Sequence, residues 1–429
     1  MTGDSRPAEG GDGAAHLLIF EPDGRGHARE WIGHLLDWRD ANAPDAAVTV
    51  ATDPTLARML SRTGNLAASD RISVRALTPL EHRLCTSARL AVSGLARWWT
   101  LHRHMRASGA RHGLLLSIDH LTLPLGLGFP AKRATLSGIL FRPSVHYPAA
   151  GNRPWRDRLR DLRKTILYGG MLKNPAVHTV WSLDPDFPAF AAARFHRGDK
   201  VMPLPDPVCP PSAGVPIAGT EKPDGRTRFL LFGVLAERKG VFQLLQALER
   251  LSPDDARAVR VVFAGVLDES IAARFVSAVE SLRTRQPDLQ IVVDARRLPT
   301  PDLAAAIANA DVVLAPYQRF VGSSGVLLWA AGAGKPVITQ SYGLLGRQVA
   351  AFGLGLAVDT TRPDELAAAL VATLRDGAAG IADPAGMTRF ASNRTPAMFA
   401  GRVLRTAFDL PAHGAEEDRV AATPLASTD

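Results

Sequence analysis

Two stretches of the chain bring together residue types that can hold a phosphate. In FGVLAERKG (232–240), Arg238 and Lys239 end a short loop between a β-rich run and an amphipathic segment, with Gly233 at the loop's start. Paired cations at such a place can neutralise an anion through charge-assisted hydrogen bonds. In PYQRFVGSSGVLLWAAGAGKPVI (316–338), Gly322, Ser323, Ser324, Gly325 and Val326 open a helix with no charge on any face. Small residues there leave the first backbone N–H groups open at the positive end of the helix dipole, a phosphate-ready arrangement. A serine N-cap would explain one serine but not the second, nor the adjacent glycines. Weaker signals precede these: Gly24, Gly26 and His27 in PDGRGH follow the run HLLIFE, and Asp119 and His120 follow LLLSI. Each pair lies where a strand ends, able to act on a substrate or merely to cap a helix.

Other patterns are set aside. GAGK at 332–335 mimics a P-loop, but Trp329 stands where Walker A needs glycine and Pro336 replaces its Ser/Thr. Asp184 and Asp186 in LDPDF imitate a metal-binding pair, although the flanking prolines favour a turn. No catalytic metal and no cofactor is expected.

These residues need elements to position them. Short β-branched or Leu-rich runs alternate with amphipathic segments, the mark of parallel βαβ units and an α/β fold. Strands are predicted at 16–21, 47–51, 72–76, 113–118, 134–139 and 177–181, and then at 228–234, 260–264, 290–294, 311–315, 336–339 and 355–358. A proline-rich stretch divides the two sets. The predicted organisation is a loose tail over 1–14, a first domain over 15–204, a linker over 205–226, a second domain over 227–395, a helix over 396–411 and a second tail over 412–429. In doubly wound sheets ligands bind beyond the carboxyl ends of the strands, which is where the candidate residues fall.

The 429 residues carry 50 Lys and Arg against 42 Asp and Glu, a net charge of +8 that suits an anionic partner. The cations are not clustered and no reading motif for nucleic acid is present, so nucleic-acid binding is not expected. With only 2 cysteines, Cys85 and Cys209, a disulfide framework or CxxC site is excluded and a cytoplasmic location is expected. The opening residues lack the basic flank and apolar stretch of a secretion signal, and no apolar run approaches the ~18 residues of a membrane span. The basic segment WRDRLRDLRK (155–164) has two readings, an interfacial anchor or a solvated face; Asp157 and Asp161 interrupt its charge and favour the second.

The order GVLAERKG, ADVVLAPY (310–317), SSGVLLWAAGAGKPVI and YGLLGR (342–347) resembles the second domain of glycosyltransferase family 4. FEPDGRGH, SGILFRPSVHY and LPDPV are similar to first-domain segments of some members, and RFASNRTPAMFAGRVL is similar to the family's closing helix. The resemblance implies the GT-B fold: two Rossmann-like doubly wound domains facing a cleft, with the last helix crossing back to the first. It further implies a hexosyltransferase-like enzyme that moves a sugar, with retention and without metal, from a GDP- or UDP-sugar to a small-molecule acceptor. Lys239 and Arg238 would stabilise the departing diphosphate, aided by Gly233, Gly26 and residues 322–326. Asp119 and His120 would work at the acceptor, His27 and Arg142 would bind it, and Arg296, Pro316, Tyr317 and Trp329 would surround the nucleoside.

Two departures matter. The family's glutamates at the donor sugar and ribose are replaced by Val321 and Trp329, neither of which can accept a hydroxyl hydrogen bond. Its usual arginine in the basic loop is Val234. These leave two alternatives open, a nucleotide-sugar 2-epimerase of the same fold and a catalytically silent accessory subunit. The Ala- and Arg-rich composition fits a role in natural-product biosynthesis on an O, N or S acceptor.

Overall fold

The structure, a computed structural model, describes residues 16–24, 26–62, 70–129, 134–147, 155–208 and 225–410. The predicted tails and residues 209–224 of the predicted linker lie outside the described residues. Strands β1 to β7 are His16–Glu21, Ala47–Thr52, Ile72–Ala76, His112–Leu115, Thr135–Leu140, Val177–Ser182 and Val201–Pro203. They form one parallel sheet in the order β3-β2-β1-β4-β5-β6-β7. Strands β8 to β13 are Thr227–Phe232, Val259–Ala264, Gln290–Asp294, Val312–Ala315, Val337–Gln340 and Gly355–Val358, in a second parallel sheet ordered β10-β9-β8-β11-β12-β13. In each sheet the order reverses beside the first strand, between β1 and β4 and between β8 and β11. At that reversal the loops diverge and a crevice opens.

Burial on both faces explains the near-continuous apolar strands. One face of the first sheet packs Leu18, Phe20, Leu115 and Leu140 against Leu101, Met105, Tyr168 and Met171. Its other face joins Trp31, Ile32 and Leu35 to Phe399, Ala400, Val403 and Leu404. Those last four belong to the helix Pro396–Ala407, which therefore returns from the second domain to complete the core of the first. The chain crosses between domains near residue 208 and again near 394, and the two crossings are tied by a backbone hydrogen bond, Val208 N–H to the Arg394 carbonyl at 2.7 Å.

Two differences from the sequence reading have local causes. The strand expected over 113–118 stops at Leu115, because Ile118 packs flat against Gly138, where a Cβ would lie 2.8 Å from the Ile118 Cβ. The chain then turns through Ile118–Leu121, which swings Asp119 over the end of β5. The edge strand β7 was not anticipated, being three residues long and closed by a proline. Among the described residues no helix is long and apolar enough to cross a membrane.

Candidate active site

The second crevice is built around one lysine. Beyond β8 the chain makes a short turn, Glu237–Lys239, and reaches Gly240 at φ +75°. A Cβ there would sit 1.9 Å from the Pro316 carbonyl oxygen, so only glycine lets this loop close against the end of β11. The closure buries Lys239 to 8% exposure. Its Nζ donates to the Tyr317 hydroxyl and lies 4.2 Å from the centre of that ring. The Tyr317 hydroxyl in turn bonds the Ser324 Oγ at 2.9 Å. Burial, with the nearby Arg238 charge added, lowers the Lys239 ammonium to about 7, and burial pushes the Tyr317 phenol up to about 12. A cation held by a phenol and a π face, with no carboxylate bonded to it, remains available to an incoming anion.

Ser324 sits at the N-cap of the helix Gly325–Gly332 but does not cap it, since its side chain turns to Tyr317. The first-turn N–H groups of an almost wholly buried helix are left for another acceptor. Ser323 donates to the Asp206 carboxylate at 2.5 Å, pinning this helix start to the segment leading out of the first domain. Burial raises the Asp206 carboxyl despite His27 and Ser323, and its Oδ1 has no hydrogen-bond partner.

The same helix end faces the first domain. A Cβ on Gly325 would lie 2.9 Å from His27 Cε1, and one on Gly322 would lie 3.2 Å from Arg142 Cγ. Burial alone would lower His27, but Glu30 and Asp206 outweigh it and raise the imidazole. Arg142 stands 5.7 Å from the centre of the Phe320 ring.

Below His27 a cavity of about 620 Å³ opens in the first domain, lined among others by Glu21, Gly26, Asp119, His120, Arg142 and Lys164. Asp119 accepts the N–H groups of Phe141 at 2.9 Å and Arg142 at 3.3 Å, and burial still raises its carboxyl. Glu21, the last residue of β1, is pushed up to about 7 by burial, against the pull of Arg97 and the Asp23 N–H. His120 is lowered to about 4 by burial and by Arg97, and its Nδ1 has no hydrogen-bond partner. Of these, Glu21 can exchange a proton near neutrality, while His120 presents an uncharged imidazole.

The structure thus gathers Lys239, Gly322, Ser323, Ser324, Gly325, Val326, His27 and Arg142 at the interdomain groove, with Gly233 near Lys239 Nζ. Asp119, His120 and Gly26 line the adjoining cavity. The remaining expected residues have the following surroundings. Arg238 is exposed, so the cations do not act as a buried pair. Tyr317, expected beside the nucleoside, is 3% exposed and offers its hydroxyl to Lys239 rather than a ring face to a base. The Pro316 carbonyl is taken by the Gln318 side chain at 2.9 Å. Arg296 is exposed and paired with Asp294 at 3.1 Å and Asp302 at 2.9 Å. Trp329 packs half-buried on the core.

Asp184 is buried and bonded to His146 at 3.1 Å and to the Tyr147 hydroxyl, while Asp186 pairs with Arg347 of the second domain. Both aspartates of LDPDF are therefore committed to structure. Among the described residues no group of three or more His, Cys, Asp or Glu is placed to hold a metal ion. Sequence reasoning missed Glu21 and Asp206. An acid closing a strand ahead of a glycine turn was the signal for the first; LPDPV gave only a linker for the second.

Residues 226–376 match the family model described as Glycosyl transferases group 1. Residues 226–376, most of the second domain, therefore resemble a glycosyl transferases group 1 domain, and the chain as a whole has the GT-B fold of the solved structures it superposes on. Sucrose-phosphate synthase from Thermosynechococcus elongatus superposes with a TM-score of 0.66 at 16% identity, covering 92% of this chain and 99% of that one. HepE of Anabaena in complex with UDP gives a TM-score of 0.63 at 15% identity, over 92% and 100% of the two chains. The α,α-trehalose-phosphate synthase (UDP-forming) from Burkholderia xenovorans, in complex with glucose-6-phosphate, gives 0.64 at 13% identity, over 91% and 99%. No curated protein sequence matches the chain.

Proposed function

We propose that the chain transfers a sugar from a nucleoside diphosphate to a small-molecule acceptor, with retention of anomeric configuration and without a metal ion. The observation carrying this reading is the Lys239–Tyr317–Ser324 relay at an uncapped helix N-terminus that faces His27 across the groove. The bond from the anomeric carbon to the β-phosphate oxygen breaks with its electron pair passing to that oxygen. Lys239 and the first-turn N–H groups stabilise the charge that develops there, an oxyanion-hole role. The acceptor attacks from the same face and its proton passes to the departing phosphate. Glu21, Asp119 and His120 then need only bind and orient the acceptor in the first-domain cavity.

UDP is the first nucleotide to test, because HepE is seen with UDP and the trehalose-phosphate synthase is UDP-forming. Calorimetry with UDP and GDP in the presence of EDTA should show binding of at least one. Heat from neither would remove the basis of the proposal, and binding only after added magnesium would refute its metal-independent part. A cytoplasmic site of action and a role in natural-product assembly belong to the same proposal.

A further inference from the structure

The helices covering one face of the first sheet expose more apolar side chain than a solvated surface needs. On Leu90–Ser108, Leu90 (59%), Leu95 (46%) and Trp99 (60%) project outward. On Trp155–Lys173, Leu159, Leu162 and Ile166 are 53%, 56% and 65% exposed. That spacing places all three on one stripe, whereas the buried side of the helix is Tyr168, Met171 and Leu172. Leu127, between these helices in the chain, is 64% exposed. These elements pack on the same core, so their outer sides form one side of the domain.

The charge around them is mainly positive. Arg83, Arg89, Arg103, Arg106, Arg158, Arg160 and Arg163 are exposed on this side. Over 79–129 the only carboxylates are Glu81, buried under Arg103 at 2.6 Å, and Asp119, inside the cavity. Over 155–173 the carboxylates are Asp157 and Asp161, against four arginines and two lysines. Leu90, Arg163 and Leu167 also line the cavity, which places its rim beside the apolar stripe.

We propose that this side of the first domain docks on an anionic bilayer surface, with Leu159, Leu162, Ile166, Leu95 and Trp99 entering the headgroup region and the arginines meeting the lipid phosphates. Amphipathic helices rich in arginine with Leu and Trp on the apolar face bind interfaces in this way, by apolar burial plus attraction to anionic lipid. The commitment to a bilayer rests on charge complementarity: exposed cations outnumber carboxylates on this side, and cations beside exposed apolar side chains are what an anionic lipid surface attracts. The docking goes beyond the transfer reaction and does not depend on it.

The test is flotation of the purified chain with phosphatidylglycerol-containing vesicles, with pure phosphatidylcholine vesicles alongside. Flotation with the anionic vesicles, much weaker flotation with the neutral ones and release at high salt are expected. The Leu162→Glu/Ile166→Glu variant, whose replaced side chains lie outside the core, should bind at least about tenfold more weakly while keeping its thermal midpoint and its UDP affinity. Equal binding of variant and wild type, or no flotation with either vesicle, would overturn the proposal. So would light scattering showing that wild type self-associates in a way the variant does not, since the stripe would then be a protein interface.

Discussion

Beyond β8 and β11, an ammonium is bonded to a phenol, and that phenol to a serine. Beyond β1 and β4, the matching place in the first sheet, Glu21, Asp119 and His120 share a cavity with Arg97. The scaffolds are alike and the crevices differ in kind. On the second side the groups are arranged to meet one fixed negative charge, and burial brings the lysine down toward neutrality before that charge arrives. On the first side burial moves carboxyls up and an imidazole down, which favours their uncharged forms over a fixed charge. Reversal of strand order explains where both crevices lie; the side chains alone explain what each can recognise.

The sharpest way to break this comparison is Lys239→Met. Turnover, followed as nucleoside diphosphate release, should fall about 10²- to 10³-fold, the usual cost of a lost charge-stabilising donor. The free protein should gain stability. Folded Lys239 titrates near 7 against 10.5 when unfolded, so between those values the unfolded chain binds more protons and wild-type unfolding free energy rises with pH. Chemical denaturation at neutral and alkaline pH should show that slope in wild type and its loss in the variant; identical slopes would mean the lysine is solvated.

Glu21→Gln tests the other side. Its carboxyl sits near 7 folded against 4.5 unfolded, so the folded state holds the extra proton in that window and wild-type stability falls as pH rises through it. The glutamine variant should lack this fall. With an acceptor in hand, kcat/KM for that acceptor should drop about tenfold, the value of one charged hydrogen bond. A drop in donor affinity instead would erase the distinction between the crevices.

The smallest effect belongs to Gly325→Ala. The new Cβ would press on the His27 ring at 2.9 Å and hold the domains slightly apart. A few-fold rise in donor KM with little change in kcat is expected, on the scale of about 1 kcal/mol of overpacking. Adding His27→Ala should reverse it; no reversal would place the strain elsewhere.

Most of the scaffold was readable because buried parallel strands are continuous apolar runs, and glycines mark where they end. Val234 was expected inside a strand that stops at Phe232, since Gly233 takes φ +100°. Lys239 was readable too, as a cation closing a strand-end loop. Tyr317 was placed correctly on its loop, but its bond to Lys239 was not legible, because a partner 78 positions away leaves no local periodicity. Asp206 was hidden for the same reason, its partner Ser323 lying 117 positions on. On the helix over 155–173 the sequence did not show which side is covered: Leu159 and Leu162 are exposed, whereas Tyr168, Met171 and Leu172 are buried.

The paired crossings of the backbone at Val208 and Arg394 carry a mechanical meaning. An N–H···O bond holds the two crossings side by side, so both domains meet along one short line of backbone. An opening hinged at that line would carry the start of the 325–332 helix away from the His27 ring along one arc.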